Sequence, residues 1–317
     1  MPKRGSNLPK RVYKYRHFSD QSLECLIEDK LFFADPSTFN DPLDTKPSLD
    51  VDLAAADLED MLRTLVERRV TGEMSAAART IRYRGPRTLE HIAKQGRRRA
   101  DEVIADLRYH ATNPDYEMDD PLRHLLGHSV EAELLRRYER GVVSLAERPD
   151  CPLMWSHYGD QHKGVCFGYS APADVQLEKV RYGGARSVRA SHVAAMLNGD
   201  AAAAKRVDAA VLLKKARDWQ YEKEWRLIGE RGLQDSLLEL EEVVFGLRCP
   251  ATVAFIVATA LAKRERAVKL YEIRQHRGTF LLRKAPLDID ELMVSWPRRA
   301  RSVYEAFDDV TVPDEPS

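Results

Sequence analysis

No apolar run in this chain approaches the roughly 20 residues that a helix needs to cross a bilayer. The basic start, Met1-Pro2-Lys3-Arg4-Gly5-Ser6, is followed by no apolar segment of the signal-peptide kind. No membrane span is expected, and the cytoplasm is the expected location. Cysteine is scarce: Cys25, Cys151, Cys166 and Cys249 are scattered with no CxxC pair, which suits reduced thiols better than a disulfide framework. Net charge is lacking too. Lys and Arg number 50 and so do Asp and Glu, so no global field favours nucleic acid or an anionic membrane, and only local basic surfaces remain open.

Familiar catalytic motifs are also missing. No GxGxxG follows a strand and no GxxxxGK[ST] phosphate loop occurs, which leaves a dinucleotide-binding Rossmann unit and a P-loop NTPase without support. Neither HExxH nor GxSxG is present. Cys151, His157, His162 and Cys166 lie within one short stretch and are of the types zinc prefers, but their spacing matches no usual zinc pair. Cys166 moreover sits in an apolar run, as a small buried hydrophobe does, so no metal site is expected. Asp160 with His157 or His162 makes an acid–base pair without a recognisable nucleophile, and hydrogen bonding that fixes the loop is the expected role.

What is present suits a globular protein: 317 residues, 44% hydrophobic and 32% charged. Val12 to Arg16 reads as a strand, Ser19 to Ser22 can cap a helix from about Leu23 to Asp29, and Leu31 to Ala34 reads as a second strand. Asp35 to Pro42 is dense in turn residues. From Leu53 to Arg140 the chain turns helical and charged, with Leu58, Met61, Leu62 and Leu65 at helical spacing. Gly85-Pro86 and Asn113-Pro114 break this stretch. Its clusters Arg82, Arg84, Arg87 and Arg97, Arg98, Arg99 admit a phosphate-binding surface, but interleaved acids and the lack of an aromatic platform favour a solvated helix face. Strands follow at 142–145 and 164–169, a helix from His192 to Ala216, a strand at 238–245, a helix at 251–264 and strands at 268–273 and 279–283. The order predicts one α+β domain over residues 1–300, with 53–140 as a helical insertion and 301–317 as a disordered acidic tail.

The most informative run is Trp219 to Ile228, whose polarity alternates as in a half-buried strand. Trp219, Tyr221, Trp225 and Leu227 then share one face with Lys223, while Glu222, Glu224 and Arg226 share the other. Two adjacent carboxylates are costly unless a cation, a proton or a ligand separates them, which marks a candidate site. Two plainer readings stand beside it: a solvated strand face with Glu224 and Arg226 paired in water, or a helix end with Glu222 and Arg226 at i,i+4.

Four segments in order, Tyr13-Lys14-Tyr15-Arg16, Phe39-Asn40-Asp41-Pro42, Leu153-Met154-Trp155-Ser156-His157-Tyr158 with the following Gly159 to Gly164, and Tyr221 to Arg226, resemble a bacterial family catalogued as a domain of unknown function. The resemblance implies a setting in phage defence. One departure is visible: where members carry a Cys-Phe-Ser strand, this chain has Val143-Ser144-Leu145, so no role of that cysteine carries over.

A more distant likeness is to ADP-ribosyltransferases, and it implies a split mixed or antiparallel sheet with NAD as substrate. It makes Glu224 the catalytic carboxylate that stabilises positive charge on the ribose. Glu222 orients or deprotonates the accepting nucleophile, and Tyr158 lines the cleft. Arg16, beside Tyr15, grips the phosphates. Ser144, Trp155 and His157 are further NAD-binding positions, and Asn40 and Asp41 lie on a loop that closes over NAD or simply caps its own turn. The implied activity is NAD cleavage or ADP-ribosyl transfer to an unknown protein or nucleic-acid acceptor, in a toxin-like effector. Two rivals remain. One is a non-enzymatic sensor or adaptor that binds a partner through the helical insertion; the other is a nuclease holding a divalent ion between Asp41, Asp44, Glu222 and Glu224.

Overall fold

The computed structural model describes residues 8–82, 85, 87–136 and 140–298. The expected acidic tail at 301–317, together with Arg84 and Pro86, lies outside the described residues. The chain begins β1 (Val12–Arg16), α1 (Asp20–Ile27), β2 (Lys30–Phe33), β3 (Ser48–Asp50), α2 (Ala55–Thr80), α3 (Thr88–His110), α4 (Pro121–Arg136) and β4 (Arg140–Leu145). It continues with α5 (Pro152–His157), β5 (Val165–Ser170), β6 (Glu178–Lys179), β7 (Arg181–Tyr182), β8 (Ser187–Arg189), α6 (Ala190–Leu197), α7 (Ala201–Leu212) and β9 (Lys214–Lys215). Last come β10 (Trp225–Glu230), β11 (Gly232–Asp235), β12 (Glu239–Phe245), α8 (Ala251–Leu261), β13 (Lys269–Gln275), β14 (Leu282–Pro286) and α9 (Ile289–Ser295). Helices and strands mix without regular βαβ repeats, which is an α+β arrangement.

The chain divides into two compact units interleaved in sequence. The first holds residues 31–147 and 173–236; the second holds 9–30, 148–172 and the chain from 237 onward.

In the first unit β10 is the middle strand of an antiparallel sheet, order β4-β10-β6. Arg226 lies opposite Ser144 on one side and Glu178 on the other. The stripe Leu58, Met61, Leu62, Leu65 and Val66 of α2 packs with Ala100 and Ile104 of α3, Leu126, Val130 and Leu134 of α4, and Val142 of β4. Each of these Leu, Ile, Val and Met side chains, once buried, stabilises by about 1.5–3 kcal/mol, so the helical stretch builds the core of this unit together with its sheet. α4 comes close to the chain ahead of α2: a Cβ on Gly127 would sit 2.7 Å from Val51 Cγ2.

In the second unit a five-stranded sheet runs β1-β5-β12-β13-β14. Its β12–β13 pair is parallel, with α8 in the crossover between them, and the other pairs are antiparallel. β5 lies inside the sheet and is buried from Val165 to Tyr169. Ser19 caps α1 as expected: Ser22 N donates to Ser19 Oγ at 3.3 Å and Ser19 N donates to Ser22 Oγ at 2.7 Å. At the bulge between Leu240 and Glu242 the buried Glu242 carboxylate accepts from Arg11, Lys284 and the Tyr13 hydroxyl.

Three expectations are corrected. The helix foreseen from His192 to Ala216 is two helices, α6 and α7, separated at Gly199, whose φ of +92° favours glycine. The last strand runs from Leu282 to Pro286 rather than 279–283, because Thr279 N closes on His276 O in a turn ahead of it. The Trp219–Ile228 run is not one strand. Arg217–Glu222 is a 3-10 helix, Lys223 turns the chain with φ 45° and ψ 53°, and the strand starts at Trp225.

Candidate functional site

The 3-10 turn and the left-handed Lys223 bring Glu222 and Glu224 to one place by a route different from strand alternation. Both carboxylates meet the Lys215 ammonium at the end of β9, with Nζ 2.6 Å from Glu222 Oε2 and 3.3 Å from Glu224 Oε2. Asp44 Oδ2 lies 3.4 Å from the same nitrogen. Arg226 completes the group. Its Nε is 2.8 Å from Glu224 Oε1, its Nη2 is 2.7 Å from Asp44 Oδ2, and its Nη1 donates to Leu212 O at 2.7 Å.

The surroundings hold these charges in place. The Tyr182 hydroxyl accepts from Glu224 N at 2.7 Å, and Ser144 donates to the Glu224 carboxylate. The Phe39 ring stacks on the Arg226 guanidinium, and the Trp219 ring lies 5.1 Å from Lys215 Nζ. The five charged side chains are between 0% and 5% exposed. Neither the solvated strand face nor the helix end therefore describes this segment.

Three carboxylates face two cations in this buried site. Burial by itself raises the Glu224 carboxyl, but Arg226 and Lys215 outweigh it and hold its pKa at about 2. Burial likewise pulls Lys215 down, and Glu224, Glu222 and Asp44 more than reverse it, so the ammonium stays charged. Tyr182 is raised by burial and by the neighbouring glutamates, which keeps its hydroxyl protonated.

The expected faces are corrected accordingly. Trp225 and Leu227 are buried, and Glu224 and Arg226 on the opposite face are buried as well, because β10 is covered on both sides. Trp219 and Tyr221, which alternation places on the same face as the buried Trp225, are only half-buried.

Of the residues put forward from the sequence, Glu222, Glu224 and Ser144 meet in this cluster of the first unit. Asn40 and Asp41 belong to the same unit, where they tie their own turn: Asp41 N donates to Asn40 Oδ1 and Leu43 N to Asp41 Oδ1. That turn delivers Asp44 to Arg226. Arg16, Tyr15, Trp155, His157 and Tyr158 belong to the second unit. There Tyr15 and Trp155 are core side chains, ring edge against ring at 5.0 Å. Tyr15 donates to Arg148 O and Trp155 Nε1 to Pro149 O. Arg16 is half-buried, 3.7 Å from Cys25 Sγ, while His157 is exposed and Tyr158 half-buried.

The His162 segment is a left-handed turn. Asp160, Gln161 and His162 have φ of 49°, 52° and 70°, closed by Lys163 N to Asp160 O at 2.9 Å. Three non-glycine residues in this region cost about 1–2 kcal/mol each. Arg248 N and Trp155 O hold the backbone of His162, and its ring stacks on Trp155 with Nε2 3.4 Å from Ser156 Oγ.

Sequence reasoning missed Lys215, the last residue of the two-residue strand β9, which no local pattern marks. Asp44 and Arg226 were visible as charged neighbours of the motifs, but not as partners of one another. Among the described residues no group of three or more His, Cys, Asp or Glu side chains is arranged to hold a metal ion. Between Asp44, Glu222 and Glu224, where a nuclease ion would sit, the Lys215 ammonium lies instead. No helix among the described residues is long and apolar enough to cross a membrane.

Compared with known families, residues 154–227 match a family model described as a protein of unknown function, DUF2971. The matched segment runs from α5 to Leu227 and carries Lys215, Glu222, Glu224 and Arg226, which supports the kinship drawn from the motifs. No curated protein and no solved structure matches the chain.

Proposed function

We propose that the chain is an NAD-cleaving or ADP-ribosyl-transferring enzyme in which Glu224 carries the chemistry. The observation that supports this is a pair of adjacent carboxylates held at one point by a lysine, with Glu224 ionised far below neutral pH. A permanently charged, preorganised carboxylate is what stabilises a ribose as positive charge develops on loss of nicotinamide. Glu222, two residues earlier, is assigned the accepting nucleophile. For Glu224 to act, an oxygen now bound by Arg226 or Ser144 exchanges that bond for the ribose 2′-hydroxyl.

A second reading has its own support. All five charged side chains are buried and bonded to one another, which is what an ionic keystone of the fold requires. On that reading the chain is a non-enzymatic sensor or adaptor of a defence system. One experiment separates the two. Purified protein is incubated with NAD while free nicotinamide and the melting temperature are followed for the wild type and for Glu224→Gln. Nicotinamide release that collapses in a folded variant supports the enzyme; no release by the wild type, or release untouched by the substitution, removes Glu224 from catalysis.

A further inference from the structure

In this neutral chain the end of the α2–α3 hairpin carries a local excess of positive charge. Between residues 79 and 99 the described residues include seven Lys and Arg against one acid, Glu90. Six of the seven are arginines, whose planar fork pairs with phosphate oxygens in two-point fashion.

Along α3, Arg87, His91, Lys94 and Arg98 follow one another at intervals of four, three and four residues, which puts them in one stripe on one face of the helix. The stripe is about 16 Å long at the rise of an α-helix. All four side chains are exposed. Arg79 and Arg82 add to it from the end of α2, and Arg97 and Arg99 flank it.

Among the described residues little neutralises this charge. Arg98 and Arg99 share one carboxylate, Glu102, and Arg79 Nε donates to Ser75 O. Among the described residues, Arg82, Arg87, Lys94 and Arg97 have no ion-pair partner. The interleaved acids that made this stretch read as a balanced solvated face therefore do not balance it here.

We infer that this hairpin end is a docking surface for the phosphate backbone of a nucleic acid. The inference is independent of the NAD reading. Backbone contacts of this kind carry little sequence information, so binding is expected to be sequence-tolerant and strongly salt-dependent. The alternative occupant, an acidic protein segment, is an outcome of the test.

The experiment uses the full chain and fluorescence anisotropy with a labelled 30-nucleotide single strand, as RNA and as DNA, and a 30-base-pair duplex, over a series of salt concentrations. The variant Arg87→Glu/Lys94→Glu/Arg98→Glu is compared with Lys263→Glu/Lys269→Glu/Arg283→Glu, which changes net charge equally on exposed positions elsewhere. Circular dichroism checks folding, and a glutamine version of the first triple serves if the glutamate version unfolds.

The expected result is binding that weakens roughly tenfold or more in the hairpin variant alone, with a salt slope shallower by about two for the single strand, as the loss of three phosphate contacts requires. No binding by the wild type, or equal loss in both triple variants, overturns the proposal. Displacement of the oligonucleotide by poly-glutamate at equal charge concentration overturns it in favour of an acidic protein partner.

Discussion

Arg226 Nη2 donates to both carboxylate oxygens of Asp44, at 3.0 Å and 2.7 Å, across 182 positions of sequence. The pair joins the turn after the FNDP-type loop to the EWR-type strand, two segments that the sequence shows only as separate motifs. Removing one partner of such a buried pair leaves the other charge uncompensated and costs about 3–5 kcal/mol. Asp44→Asn and Arg226→Met are each expected to lower the unfolding free energy by that order, read as a lower urea midpoint. Arg226→Lys is expected to rescue little, because one ammonium cannot reproduce bonds to Asp44, Glu224 and Leu212 O together. An unchanged midpoint in all three variants would show that the cluster does not hold the fold.

The enzyme reading makes a graded forecast. Glu224→Gln keeps size and most hydrogen bonding but deletes the charge, so nicotinamide release should fall about a hundredfold to a thousandfold. Glu222→Gln should impair transfer to an acceptor more than hydrolysis, since water replaces an oriented nucleophile. Steady-state assays of nicotinamide and of labelled acceptor, run on the same preparations, separate these two patterns.

Stability should depend on acid in a direction set by Glu224. Its folded pKa lies at about 2, below the ordinary carboxylate value of 4.5. The stabilisation it supplies is therefore fully present above pH 4.5 and is lost as pH falls toward 2. Glu224→Gln should flatten this part of the curve relative to the wild type. Melting temperatures measured across that window test it, and parallel curves would show that Glu224 is not the group responsible.

The left-handed turn at Asp160 to His162 stores strain that glycine relieves. Gln161 is exposed, with φ of 52°, so Gln161→Gly is expected to stabilise by about 1 kcal/mol or leave stability unchanged. Gln161→Val should destabilise, since a branched Cβ fits this region worst. Thermal melts of the two variants provide the comparison, and a stabilising valine would contradict the assigned backbone.

Several elements were legible from the chain because their causes are local. Ser19 and Ser22 announce the cap of α1, the spacing of Leu58, Met61, Leu62 and Leu65 announces the buried stripe of α2, and the apolar run of β5 announces an interior strand. The convergence of Glu222, Glu224 and Arg226 was legible too, although its mechanism was not. Alternation suggested a strand, whereas a 3-10 turn and the αL Lys223 do the folding.

By itself the sequence determined the α+β content, the segments that resemble a known family, the accumulation of arginine between residues 79 and 99 and the presence of two carboxylates beside an arginine. Only the tertiary structure decided that these carboxylates are buried, that Lys215 lies between them and that Asp44 closes on Arg226. The reason is physical. Periodicity tells which side chains share a face, but whether that face meets water or another layer depends on strands and loops far away in sequence. For β10 both faces are covered, so the charges meant for one side of a strand became part of the interior.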